Sequence, residues 1–225
     1  VSIAGSPGTE VVTEMSTFHL AHHAEKQRWL PDDPLALEII ARLMEREEPV
    51  TIIQQAGKPL PELPASVQVL NTLPVEPEPT QPLVIITDRL LGMRPEVDRL
   101  VVLRPPTLTL GVACRRQVEY EDFAEAVRQF SRRTGYSQQS IQAIAASARR
   151  RSLGVLEELA DKLQVPMLFY DDRILSRTPL PQPGKMAGTC AVAAILAAGV
   201  TAPLVPTTSL LGKFTLALAR RQDSV

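Results

Sequence analysis

The sequence predicts an α/β protein made of two layered units, the C-terminal one a mostly parallel sheet flanked by helices. Three observations predict it. Beyond residue 104, short apolar runs of strand character alternate with amphipathic helical runs, the pattern of a layered α/β domain. The charge balance changes sign at the same place. Residues 1–103 hold 8 Lys+Arg against 15 Asp+Glu, whereas residues 104–225 hold 16 against 10. A shift this large within one chain points to two units with different tasks. Finally, Arg104-Pro105-Pro106 punctuates the chain at the crossover. The units are therefore drawn as 1–103 and 104–225.

Composition bounds the possibilities. With 44% hydrophobic and 22% charged residues in 225, the chain supports a packed core and is not disordered throughout. No apolar run reaches the roughly 18 residues of a membrane-spanning helix. Two cysteines, Cys114 and Cys190, are too few for a disulfide framework or a four-cysteine zinc site, so a reducing, cytoplasmic setting is expected. The chain starts at Val1 with no charged-then-apolar leader, as expected of a cytoplasmic protein or a piece of a longer one.

Val11–Val12 is read as a short strand. Ser16 or Thr17 then caps a helix over FHLAHHAEKQRWL, stopped by Pro31. A second helix opens at Asp33-Pro34 and carries Leu37, Ile40, Ala41 and Met44 at helical spacing. Pro34 suits the first turn, where its missing N–H has no helical partner. VTII at 50–53, SVQVL at 66–70 and LVIIT at 83–87 are strands. The Pro-rich stretch PVEPEPTQP is an extended linker, because each Pro removes a ladder donor.

In the second unit TLTLGVAC, 107–114, is a strand ending in a Gly-containing turn. EDFAEAVRQFSRRTG is a helix stopped by Gly135. Ser137 caps the next segment, in which IQAIAA suits either helix or strand. SLGVLEELADKLQ is a helix capped by Ser152, VPMLFY a strand, and DRILSRT a short helix. MAGTCAVAAILAAG is a helix beginning near Gly188-Thr189, and GKFTLALAR is the closing strand.

Ligands in open parallel sheets bind outside the carboxyl ends of the strands. That puts weight on Gly111, Cys114, Arg115 and Arg116. Two adjacent guanidiniums at a strand end offer forked donors for carboxylate or phosphate. The same residues equally suit a small core cysteine and a solvated turn. Gly188-Thr189 opens an apolar helix whose free N–H groups can hold an anion. A plain N-cap is the simpler role for that turn. Arg149 heads a run of three arginines that grips anions or merely faces solvent.

GxGxxG and Walker patterns are absent, which disfavours dinucleotides and P-loop triphosphates. With 4% aromatic residues, nucleic-acid binding is not expected. His19 and His23 stand four apart on one helical face but lack an obvious third ligand, so no protein-bound metal is expected. From the residues alone, the second unit is an α/β domain with a basic, anion-accepting edge.

Those residues also carry a family resemblance. Gly111-Val-Ala-Cys-Arg-Arg-Gln117 is similar to the opening of the C-terminal domain of the cobalamin-biosynthesis CbiG family and of its stand-alone CobE relatives. YEDFAEAVRQF, IAASARRRSLGVLEELADKLQVPMLFY, MAGTCAVAAILAAG and VPTTSLLGKFTLALAR follow in that family's order. In the first unit, DPLALEIIARLMEREEPVTII and LVIITDRLL resemble the middle region of the same family. Departures include Gln117 for a Gly, Arg149 for a Lys, Ser147 for an Asp and Thr207 for a Lys.

The resemblance implies a role in cobalamin synthesis: opening the ring lactone of cobalt-precorrin-5A with release of acetaldehyde. The alternative it implies is a CobE-like protein that binds or hands over a precorrin without turnover. Cobalt would travel with the tetrapyrrole, so no separate cofactor is implied. Other enzymes of the pathway are implied partners, and neither nucleic acid nor membrane is. The implied substrate contacts are Gly111, Cys114, Arg115, Arg116, Arg149, Gly188, Thr189 and Lys213.

Overall fold

The computed structural model describes residues 18–72, 79–178, 188–201 and 204–221. The strand expected at Val11–Val12, the capping residues Ser16 and Thr17, and most of the Pro-rich linker lie outside them. Among the described residues no helix is long and apolar enough to cross a membrane.

The first sheet contains β1 (Leu30–Pro31), β2 (Val50–Gln54), β3 (Val67–Leu70), β4 (Leu83–Ile86) and β5 (Leu100–Arg104), in the order β1-β5-β4-β2-β3. All its pairings are parallel except that of β1 with β5. Its central strands β2, β4 and β5 are buried on both faces, which is why they read as unbroken apolar runs, while the edge strands β1 and β3 are partly exposed. Two helices, α1 (Leu20–Lys26) and α2 (Pro34–Glu45), cover one face, where Leu20, Ile40 and Met44 meet Ile52, Val84, Ile86 and Val101. The alternate residues Ile53, Leu83, Ile85 and Val102 pack on the other face beneath Leu91 and Val97.

α1 is shorter than expected and does not run to Pro31. His19 is its cap, with Nδ1 accepting the His22 N–H at 3.1 Å. It ends before Arg28, which enters the left-handed region at φ 57° and turns the chain so that Trp29 is buried and Leu30–Pro31 can pair with β5. α2 matches expectation: Asp33 Oδ1 accepts the Ala36 N–H at 3.0 Å, and Pro34 occupies the first turn.

The chain leaves the first sheet at Arg104 and enters the second at Leu108. The second sheet contains β6 (Leu108–Cys114), β7 (Ile141–Ser147), β8 (Met167–Tyr170), β9 (Val205–Leu210) and β10 (Phe214–Arg220), in the order β8-β7-β6-β10-β9. β6, β7 and β8 are parallel, and β10 runs antiparallel to both β6 and β9. Helices α3 (Tyr120–Thr134) and α4 (Gly154–Leu163) lie on one face, and α5 (Asp172–Arg177) and α6 (Thr189–Ala198) on the other. Among the described residues the two units are thus layered α/β structures.

The two faces of this sheet differ in residue size. Leu108, Leu110, Val112, Phe214, Leu216 and Leu218 meet Phe123, Val127, Phe130, Leu156 and Leu159 of α3 and α4. Phe123 and Phe214 stack with centroids 5.0 Å apart. The alternate positions are small: Ala113, Ala145, Ala217 and Ala219 face Cys190, Ala191, Ala193, Ala194 and Ala198 of α6. Small residues on both sides let helix and sheet approach closely.

Several local expectations change. IQAIAA is strand β7, because its alternate residues face two covered sides of the sheet. Strands β5 and β9 were not expected. Ser152 does not cap α4. A 3₁₀ turn at Ala148–Arg150 precedes the helix, Leu153 N–H donates to Arg150 O at 3.0 Å, and Leu153 takes the cap position without a side-chain bond. Gly111 is not in a turn but in the middle of β6. A Cβ placed on it would lie 1.8 Å from the Cys190 carbonyl oxygen and 3.0 Å from Ala194 Cβ. It is the gap through which α6 reaches the sheet.

Candidate functional site

The orientation of α6 follows from its contacts. Cys190 and Ala191 pack by Ala113 and Ala217, while Ala198 packs by Ala219. Ala217 pairs with Gly111 and Ala219 with Thr109, so α6 runs antiparallel to β6. Its N-terminus therefore lies at the edge where β6, β7 and β8 end. The same edge receives Cys114-Arg115-Arg116 after β6, Ala148–Arg151 after β7, and Asp171–Asp172 after β8. Lys213 joins them from the β9–β10 turn, since Phe214 pairs with Cys114 and Arg115 N–H donates to Lys213 O at 3.1 Å.

The side chains at this edge have distinct roles. Arg115 and Arg116 are exposed. Cys114 is 4% exposed and belongs to the core under α3 and α4. Burial pushes its thiol up, against a smaller opposing pull from Arg150. It is thus a core residue and a poor nucleophile. Arg149 is exposed and pairs with Asp172, whose other oxygen accepts from the Ser147 hydroxyl. Ser147 Oγ accepts in turn from Arg149 N–H at 3.2 Å, fixing the turn after β7. The Arg151 guanidinium lies over the Phe169 ring, 5.2 Å from its centroid. Lys213 pairs with Asp122 of α3. Gly188 caps α6 through its carbonyl, which accepts from Ala191 N–H at 2.9 Å, while Thr189 is exposed.

Seven of the eight expected residues thus gather along one edge, and Gly111 supports it from inside the sheet. Ser147 and Asp172 were not expected there. The histidines are elsewhere and have separate structural roles. His19 caps α1 and its Nε2 lies 3.3 Å from Glu45, while His23 packs between Phe18 and Trp29 at 5.4 and 5.3 Å. Among the described residues no three His, Cys, Asp or Glu side chains come together as a metal site.

A second polar cluster joins the two sheets. Asp88, fully buried, accepts two hydrogen bonds from Arg220, at 2.8 and 2.6 Å, and one from the Thr107 hydroxyl at 2.8 Å. Arg104 donates to the carbonyls of Thr87 and Arg89, and Arg89 and Arg220 flank the Tyr136 ring. Burial holds the Arg104 guanidinium below its usual range, with Asp32 and Asp88 acting the other way. A cleft of 1250 Å³ opens at the other end of the second sheet, and none of the eight expected residues lines it.

Residues 108–219 match the family described as Cobalamin synthesis G C-terminus. Solved structures resemble the chain over different spans. A cobalamin biosynthesis protein G homolog from Sulfolobus solfataricus is 15% identical with a TM-score of 0.45, over 92% of this chain and 61% of its own. The chain therefore spans less than two thirds of that protein. Cobalamin biosynthesis protein chiG from Agrobacterium tumefaciens is 21% identical with a TM-score of 0.43, over 51% of this chain and 98% of its own. CobE, from the cobalamin pathway, is 23% identical with a TM-score of 0.42, over 51% of this chain and 93% of its own. No curated protein matches the chain. Residues 108–219 form a domain of the cobalamin synthesis G C-terminus family.

Proposed function

We propose that the chain acts on cobalt-precorrin-5A, opening its ring lactone and releasing acetaldehyde to give cobalt-precorrin-5B. The observation that carries this reading is the convergence of Arg115, Arg116, Arg149, Lys213 and the α6 N-terminus on one sheet edge. A tetrapyrrole of this kind is a broad apolar ring with a rim of carboxylates. Guanidiniums at the strand ends suit the rim, and the Gly188-Thr189 turn suits a carboxylate or a developing oxyanion.

In the reaction one water is consumed and the acyl C–O bond of the lactone breaks, leaving a carboxylate. The freed hydroxyl then loses its proton as the C–C bond joining its carbon to the ring breaks, the electron pair passes into the macrocycle, and the two-carbon fragment leaves as acetaldehyde. The cobalt belongs to the substrate. The chain's part is to bind the carboxylates, orient the lactone carbonyl and stabilise the negative charge that grows on its oxygen.

One observation favours a second reading, a CobE-like protein that holds the intermediate without turning it over. The acids Asp172 and Asp122 at the edge are both engaged by cations, and the Cys114 thiol is buried. Acetaldehyde, trapped enzymatically from purified chain and cobalt-precorrin-5A, decides between them. Release above the uncatalysed rate supports hydrolysis. Binding of the coloured intermediate without release favours the carrier.

A further inference from the structure

We infer that the cleft between the two units is a second binding site, for a large polycarboxylate with an apolar body. It rests on the reading above only for the choice of probe, since it lies at the end of the sheet opposite the strand tips. One wall is α1, β1 and the start of α2. The other is formed by the N-terminal ends of β6, β7 and β8 and the end of α4. At 1250 Å³ it exceeds the roughly 300–1000 Å³ typical of drug-sized ligands, so a macrocycle suits it better than a metabolite of a few atoms.

The lining fits that chemistry. Among the described lining residues the cations Arg28 and Lys58 come from the first unit and Lys162 from the second, beside the acids Glu25 and Glu38. The first unit is acidic overall, yet its share of the described lining, Arg28 and Lys58 with Glu25 and Glu38, is balanced. Arg28, Lys58 and Lys162 are exposed and make no ion pair among the described residues. Glutamines at 138, 139, 142 and 164 supply neutral donors and acceptors for carboxylate or amide arms. Leu30, half exposed, and the rings of four prolines give apolar surface of low conformational entropy.

Arg28 and Gln164 hold left-handed φ values of 57° and 52°, and both line the cleft from opposite walls. Each follows a helix end, where Gly or Asn is usual because a side chain there costs about 1 kcal/mol. The two turns place one long polar side chain on each wall; Glu47 and Leu211 hold the same conformation away from the cleft.

The test uses the full chain and uroporphyrin I, an eight-carboxylate porphyrin, titrated by its visible absorbance. Wild type binds saturably, and the double charge reversal Arg28→Glu/Lys162→Glu weakens that binding at least about tenfold. Both residues are exposed, and an unchanged melting temperature verifies folding. Citrate, which has carboxylates but no apolar body, does not displace the porphyrin at equal concentration. Absence of saturable binding, an unchanged double variant, or displacement by citrate overturns the inference. A double variant that binds like wild type while Arg116→Ala does not removes the cleft and leaves the strand-tip reading standing.

Discussion

Asp88 and Arg220, 132 positions apart, meet through two hydrogen bonds at the junction of the sheets. Asp88 follows β4 of the first sheet and Arg220 ends β10 of the second. Thr107 and the Ser137 N–H, both in the second unit, also donate to Asp88, the latter to its main-chain oxygen at 2.8 Å. Removing Arg220 strands Asp88 in a fully buried setting, and removing Asp88 leaves a half-buried guanidinium and the Thr107 hydroxyl without their acceptor. Asp88→Ala and Arg220→Met are each expected to destabilise the chain by about 3–5 kcal/mol. The double variant should lose less than the two singles together. Urea unfolding of all four proteins measures it.

Gly111→Ala places a methyl group into the first turn of α6. The obstacle is backbone, so it cannot rotate away, and the helix must shift. A loss of about 3 kcal/mol is expected, at the upper end of overpacking effects. Thermal melts followed by circular dichroism should show a fall much larger than for Gly154→Ala, where a Cβ meets nothing within 4 Å.

Burial, then the charges of Lys26 and His22, hold His23 below its usual 6.5. Its Nε2 is buried and finds no partner among the described residues. The unfolded chain therefore takes up this proton first as pH falls. The stability that neutral His23 contributes is intact above pH 6.5 and is lost progressively below it, down through the folded value. Denaturation midpoints measured from about pH 7.5 to about pH 5 should fall for wild type and fall less for His23→Phe.

Cys114 and Cys190, at 4% and 1% exposure, are both shielded, and the Cys114 thiol is pushed up by burial. In the native protein neither should react with an aromatic disulfide reagent over the time in which denatured protein releases two equivalents. Prompt labelling of one thiol in native buffer would contradict this packing.

Arg116 is exposed at the strand tip. Arg116→Ala should weaken binding of a corrinoid intermediate by about 1.5–3 kcal/mol, the range for a hydrogen bond to a charged group. Its melting temperature should not change. Calorimetric titration that finds equal affinity removes this residue from the site.

What the sequence made legible depended on how local each cause is. LTLGVAC and FTLALAR announce themselves because large and small residues alternate with the period of a strand. Asp33-Pro34 and Gly135 mark helix ends by capping chemistry that acts within four residues. IQAIAA stayed ambiguous because alanine favours helices intrinsically and becomes strand only between two covered faces. LVVLR was overlooked beside its prolines, and VPTTSL because Pro and Thr mimic a loop.

The strand-tip residues were found since topology collects whatever follows parallel strands at one edge. Asp172 escaped because its partners Ser147 and Arg149 lie on another strand end. Asp88 and Arg220 lie in separate segments, LVIITDRLL and GKFTLALAR, and nothing local in either says that one answers the other.

β10 sits between β6 and β9, although it is the last strand among the described residues. During synthesis the trio β6, β7 and β8 emerges long before its neighbour. Until Phe214–Arg220 leaves the ribosome, one side of β6 shows its N–H and C=O groups to water, a template for any stray strand. A stop codon just ahead of Phe214 would therefore yield not a shortened protein but one prone to cling to its own copies.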